Sequence, residues 1–165
     1  VPGLGFAISD RGSQSWLDNE HPSSLAPGKR PRLTPNPALS FKDGKLFAAF
    51  GTPGGDAQVQ TMAQVFLNIV EFGMDPQQAI EQPRFISLSY PNSFWPHIYL
   101  PGRLALEGRF SELVADELIQ RGHEIDWWQD WTPRTGGACA IVVDSEEGTL
   151  EGGADPRREC YAIGR

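Results

Sequence analysis

The sequence predicts an α+β fold, and three observations carry the prediction. Apolar runs of strand length stand at Leu46–Phe50 and Ala138–Val143. Between them, Met62, Val65, Phe66, Ile69 and Val70 recur at the spacing of a half-buried helix. Finally, 14 prolines and 18 glycines in 165 residues give too many turns for a helical bundle. Hydrophobic residues at 39%, with five tryptophans, indicate a folded chain large enough for a sizeable core.

Phe6, Ala7 and Ile8 read as a short buried strand, followed by a polar loop over Ser9–Ser15 whose far side Trp16 and Leu17 anchor. Asn19–Pro37 carries five prolines and reads as a long irregular segment, functional or linking in kind. Lys29, Arg30 and Arg32 within it form a basic turn, either solvated or paired with acidic neighbours. Ala38–Phe41 and Leu46–Phe50 read as a β-hairpin turned at Asp43-Gly44. The second strand runs into Gly51, Pro53, Gly54 and Gly55, which break it and leave backbone N–H groups uncovered. The central helix follows, stopped near Gly73.

Asp75-Pro76 has the form of an N-cap with proline at the first helical position, opening a short helix over Gln77–Gln82 that Pro83 ends. Arg84–Leu88 reads as a strand, and Tyr90–Gly102 as an aromatic, proline-rich cover in which His97 packs or lies at the surface. Leu104–Glu107 is strand-like. Ser111–Arg121 is an amphipathic helix with Phe110, Leu113, Val114 and Leu118 inward, and His123–Trp128 alternates as a strand does. Ala138–Val143 is the most continuous buried strand; Ser145–Gly148 turns it and Thr149–Gly152 returns. Neither internal repeats nor a second domain interrupt the order, so residues 1–165 read as a single domain. The opening VPGLGFAIS has no initiator Met or signal peptide and reads as a fragment or a processed subunit.

A net charge of −7 disfavours nucleic-acid and anionic-membrane surfaces, and no apolar run approaches the roughly 20 residues of a membrane span. The three histidines are scattered without HExxH or CxxC spacing, so no metal site is expected. No GxSxG elbow is present. Cys139 and Cys160 read as buried thiols that can pair only if their segments are neighbours. The turn Gly51–Asp56, GTPGGD, is neither GxxxxGK[ST] nor GxGxxG, which leaves a nucleotide phosphate with little support. A strand, a bare-amide turn and a helix N-terminus together hold negative charge, and two such N–H groups can receive the oxyanion of an acyl-transfer intermediate.

PGKRPRLTPNPALSFKDGK, then FGTPGGDAQVQTMAQVFLNIVEFGMDPQQAIEQPRF, then GGADPRRE strongly resemble, in that order, the small subunit of gamma-glutamyltranspeptidases. The loop DRGSQSWLDNEHPSSLAPGKRP is most similar to the divergent, often bacterial, branch. The resemblance implies the C-terminal portion of an N-terminal nucleophile hydrolase, a four-layer αββα sandwich. In that family a proenzyme cuts itself, and the new N-terminal Thr of the small subunit attacks a γ-glutamyl amide with its own amino group as base. It uses neither metal nor organic cofactor. The partners implied are the large subunit of the same proenzyme, an N-terminal segment bearing the Thr, and a small-molecule amide.

Carried over position by position, Gly54 and Gly55 match the family's oxyanion-hole pair. Arg11 stands where typical members have a substrate-binding Gln, and Gln14 where an Asp grips the substrate's α-ammonium. Leu33 and Thr34 replace a Ser-Ser pair that holds the α-carboxylate, and Thr34 alone keeps a hydroxyl. Arg11 therefore favours an acyl group with a carboxylate where the usual substrate has an ammonium. Neither Thr34 nor Thr52 can be the nucleophile, because a residue using its own α-amino group must be first in its chain. This chain by itself is expected to be inactive. The competing expectations are a binding module that holds a carboxylate or other anion on the GTPGGD turn without turnover, and a turn that only lets helix approach sheet.

Overall fold

The computed structural model describes residues 2–164; Val1, and with it the join to any upstream segment, lies outside the described residues. Among the described residues, seven strands form two sheets. The first sheet begins with the expected hairpin, β1 (Ala38–Lys42) and β2 (Lys45–Gly51), antiparallel with a bulge at Ser40/Phe41. Its turn residues Asp43 and Gly44 have φ of 51° and 77°, the left-handed pair that suits a two-residue hairpin. β2 continues through a single 3-10 turn, Gly55–Ala57, into α1 (Gln58–Val70). Asp75 caps α2 (Pro76–Glu81), its Oδ1 accepting the Gln78 N–H at 2.8 Å, so the expected Asp-Pro opening is realised.

The second sheet is built from β3 (Phe85–Ser87), β4 (Arg103–Glu107) and β5 (Glu124–Trp128). β3 is antiparallel to β4, and β5 is parallel to it after the crossover helix α3 (Glu112–Gln120). β6 (Cys139–Asp144) and β7 (Thr149–Ala154) then return to the first sheet, giving the order β1-β2-β6-β7.

Among the described residues, three apolar clusters hold these layers. Val65 and Ile69 of α1 and Ala79 and Ile80 of α2 bury against Ala138 and Ala140 on the inner face of the first sheet. Ile86 and Ala105 pack with Ala57 beneath the glycine turn. Leu104 and Leu106 pack with Ala115 of α3 on the other face of the second sheet.

Several expectations need correction. Phe6–Ile8 is not a strand: it is exposed coil, and neither sheet includes it as a hydrogen-bonded neighbour. Leu17 is exposed, while Trp16 packs at the end of the polar loop, stacked between His21 and His97 at centroid distances of 3.8 and 4.0 Å. In α3, Leu113 and Val114 face outward, because Ala115 and Leu118 take the stripe over β4 and β5. β6 is buried on one face only: Ala140 is covered by the helices, whereas Cys139 and Ile141 are exposed. The cysteines are free thiols, Cys139 exposed and Cys160 half-buried, rather than core residues.

Candidate functional site

The GTPGGD turn follows β2 of the first sheet and lies against the segment at Gly136 and Gly137 that leads into β6. Gly54 and Gly55 have φ of 141° and 58°, so both occupy backbone conformations that side chains resist. Space is tight as well, since a Cβ on Gly54 would stand 3.3 Å from Cα of Gly136. Gly136, with φ of 103°, leaves no room for a Cβ beside Thr52 Oγ1 and the Pro53 carbonyl. Thr52 Oγ1 accepts the Gly137 N–H at 2.9 Å and donates to the Pro53 carbonyl at 2.7 Å, which ties the two glycine segments together. The Gly54 carbonyl accepts from Ala57. Neither the Gly54 nor the Gly55 N–H has an acceptor among the described residues.

Asp56 fastens the start of the helix. Its carboxylate accepts the Ser93 N–H at 2.7 Å and the Ser93 hydroxyl, and pairs with Arg32 at 3.3 Å. Of the basic residues 29–32, therefore, Arg32 takes an acidic partner.

Two clefts meet at Gly55 and Asp56. One, of about 250 Å³, is lined by Arg32–Asn36, Gly55, Asp56 and the first residues of α1, and contains Leu33 and Thr34. Arg11 reaches Thr34, donating from Nη1 to Oγ1 at 2.8 Å. The fold thus brings Arg11 onto Thr34, which lines this cleft together with Gly55. Gln14 lies elsewhere: it is 2% exposed, in a cavity of about 240 Å³ with Ser23, Ser24, Lys29 and Arg30. Its amide atoms have no partner among the described residues. The other cleft, of about 560 Å³, is bounded by Gly54, Gly55, Tyr90, Phe94, Trp128, Arg134 and Arg158. Burial, and then the Asp56 charge, push the Tyr90 phenol up, so it stays a neutral donor at ordinary pH.

Sequence reasoning missed Tyr90, Arg134 and Arg158 as neighbours of the turn. They come from three separate segments, and the pairing of β2 with β6 brings Thr52 of the turn against Gly137.

Behind the site, Glu107 and Asp155 are buried with Arg84 and Arg157. Arg157 forks onto Glu107 with Nε and Nη2 at 2.6 Å each, and Arg84 pairs with Asp155 at 2.7 Å. Burial alone would raise the Glu107 carboxyl, but the Arg157 and Arg109 hydrogen bonds and charges hold it below the usual range. Burial pulls the Arg84 guanidinium down, only partly offset by Asp155.

A family model described as gamma-glutamyltranspeptidase matches residues 1–164. The chain belongs to the gamma-glutamyltranspeptidase family. It is 39% identical over 160 residues to the glutathione hydrolase-like YwrD proenzyme of Bacillus subtilis, covering 97% of this chain and 29% of that protein. It is 35% identical over 165 residues to the oxamate amidohydrolase proenzyme of Klebsiella pneumoniae, covering 99% and 30%. A crystal structure of cephalosporin acylase from Bacillus halodurans superposes with a TM-score of 0.81 at 32% identity, covering 97% of this chain and 28% of that one. The chain thus spans less than a third of the length of these relatives. Its α+β arrangement is the N-terminal nucleophile hydrolase fold, of which this gamma-glutamyltranspeptidase-family chain forms a part.

Proposed function

We propose that residues 1–165 form one domain, the greater part of the small subunit of an enzyme that cleaves γ-glutamyl or related acyl amides, with the large subunit of the same proenzyme as partner. In this reading a Thr at the head of the processed subunit attacks the amide carbonyl through its Oγ. Its own α-amino group takes the hydroxyl proton and passes it to the departing amine. The carbonyl oxygen gains the electron pair as the tetrahedral intermediate forms, and the Gly54 and Gly55 N–H groups receive it. Water, or an acceptor amine, then takes the acyl group by the same route in reverse.

The observation that supports this reading most directly is the Gly54-Gly55 pair. Its two N–H groups lack acceptors among the described residues, and Gly55 lines a cleft together with Thr34, whose hydroxyl accepts from Arg11. The outer face of the first sheet supports the subunit partner. Leu39, Ile141 and Leu150 are exposed on β1, β6 and β7, whereas an αββα sandwich covers that face with a second sheet.

Arg11 sets the acyl preference. A guanidinium held at Thr34 suits a carboxylate at the far end of the acyl chain better than the ammonium of a γ-glutamyl group. One relative is named for oxamate, an amide whose acyl part is itself a carboxylate. The test is hydrolysis of glutaryl and γ-glutamyl 4-nitroanilides by the full-length protein carrying this chain. In Arg11→Gln, kcat/KM for the glutaryl substrate should fall about 10-fold or more relative to the γ-glutamyl one, the scale of one charge-assisted hydrogen bond. An unchanged ratio refutes the role of Arg11. Absence of turnover on both substrates, with a carboxylate still bound, would favour an anion-binding module instead.

A further inference from the structure

The acyl amide has two ends, and the Gly54-Gly55 turn has a cleft on each side. If the acyl group lies toward Thr34 and Arg11, the amine that departs must lie toward Tyr90, Phe94, Trp128, Arg134 and Arg158. We propose that this second cleft is a leaving-group subsite for a flat amine carrying a carboxylate, a reading that rests on the amidase function above. Its chemistry differs from the rest of the surface. The chain has a net charge of −7, yet this cleft places two guanidinium groups around an aromatic floor.

Arg134 lies over the Trp128 ring at 5.3 Å and makes no ion pair among the described residues. Arg158 is steadied by backbone, donating from Nε to the Gly136 carbonyl at 3.2 Å and from Nη2 to the Pro133 carbonyl at 2.8 Å. Its Nη1 has no partner among the described residues. The acid closest to hand, Asp56, is committed to Ser93 and Arg32. Asp126 accepts from the Trp128 indole at 3.1 Å. So the two cations are free to meet an incoming anion.

The aromatic groups set the shape. Phe94 closes over the turn, its ring edge 3.9 Å from where a Gly55 Cβ would stand, and Trp128 forms a second wall backed by Ile86 and Ala105. A planar ring entering between them can stack, while a carboxylate on that ring turns toward the guanidinium groups. An aliphatic, uncharged amine would use neither feature.

The test reads binding apart from turnover. Ligand-observed NMR titrations of the full-length protein compare 5-amino-2-nitrobenzoate with 4-nitroaniline, which have the same nitroaniline ring with and without the carboxylate. The wild-type protein should bind the carboxylated ring about 10-fold tighter or better, as one charge-assisted hydrogen bond provides. Arg134→Gln should remove most of that preference, and Arg134→Lys should restore part of it. Arg158→Gln should act in the same direction; should its lost backbone bonds unfold the protein, the Arg134 pair of variants decides. Equal affinity for the two anilines in the wild type, or a preference that survives Arg134→Gln, overturns the subsite. A protein that binds the carboxylated ring with this dependence but cleaves no acyl anilide overturns the amidase reading alone. One that cleaves anilides without regard to the carboxylate overturns the subsite alone.

Discussion

Gly136 shows how one atom decides the geometry of the turn. Its φ of 103° excludes most side chains, and a Cβ there would enter the space of Thr52 Oγ1 and come 2.8 Å from the Pro53 carbonyl. The Thr52–Gly137 hydrogen bond exists only because this space is empty. Gly136→Ala should therefore push the 135–137 segment away from Gly54. The strain and the lost bond together come to about 2–4 kcal/mol. Chemical denaturation is the measurement, and a loss below about 0.5 kcal/mol would mean the turn does not depend on this contact. At this scale the sequence is half legible. Gly54 and Gly55 stand out as a pair after a strand, but the need for glycine at 136 comes from a segment over 80 residues away, and local pattern holds no trace of it.

Among the elements, α1 does more than bury an apolar stripe. Gln60 and Gln64, one turn apart, each meet the edge strand β3 through both amide atoms. Gln60 takes the Ser87 N–H at 2.8 Å and gives to the Ser87 carbonyl at 3.1 Å. Gln64 does the same at Phe85, at 3.0 and 2.8 Å. Gln77 of α2 repeats the pattern on Ala154 of the edge strand β7, at 2.9 and 3.0 Å. A primary amide has the donor and acceptor of a peptide group, so each glutamine stands in for a neighbouring strand and closes an otherwise open edge. Replacing Gln60 and Gln64 with Leu should remove four hydrogen bonds to the backbone of β3 and cost about 0.5–1.5 kcal/mol per site. Hydrogen exchange at the amides of Ser87 and Phe85 would show it; unchanged protection would sink the idea. The apolar spacing of α1 was readable from Met62, Val65 and Ile69, as was the cap at Asp75. Nothing in the sequence singles out the glutamines, because their partners arrive from strands that no periodicity ties to the helices. Phe6–Ile8 misleads in a related way: an apolar run proposes a strand, but neither sheet of the described residues takes it in.

For the whole molecule, the decisive feature is the buried charge cluster joining the two sheets. Glu107 ends β4 in the second sheet, and Asp155 follows β7 in the first. Arg157 bridges them, forking onto Glu107 and reaching Asp155 Oδ1 at 3.1 Å; its Nη1 and Nη2 also donate to the Ile80 and Gln82 carbonyls at the C-terminal end of α2. Arg84 joins Asp155 to the Thr135 carbonyl, at 2.7 and 3.3 Å, so the cluster also supports the segment that ends at Gly136. The DPRRE run near the C-terminus therefore reaches the site twice, through Arg157 behind the glycine turn and through Arg158 beside it. The sign of the pH effect follows from Glu107. Its carboxyl is held below the ordinary value, so its contribution is complete above the unfolded pKa of about 4.3 and is lost as pH falls through the lowered folded value. Glu107→Gln should cost about 3–5 kcal/mol at neutral pH, because it leaves Arg157 buried without its main counter-charge. It should also flatten the decline of Tm below about pH 4, since the variant has no proton left to take up at that position. Thermal unfolding of both proteins from pH 3 to pH 7 makes the comparison. Parallel acid limbs would show that Glu107 titrates alike in the folded and unfolded states, and that the cluster holds the sheets together by packing rather than by charge.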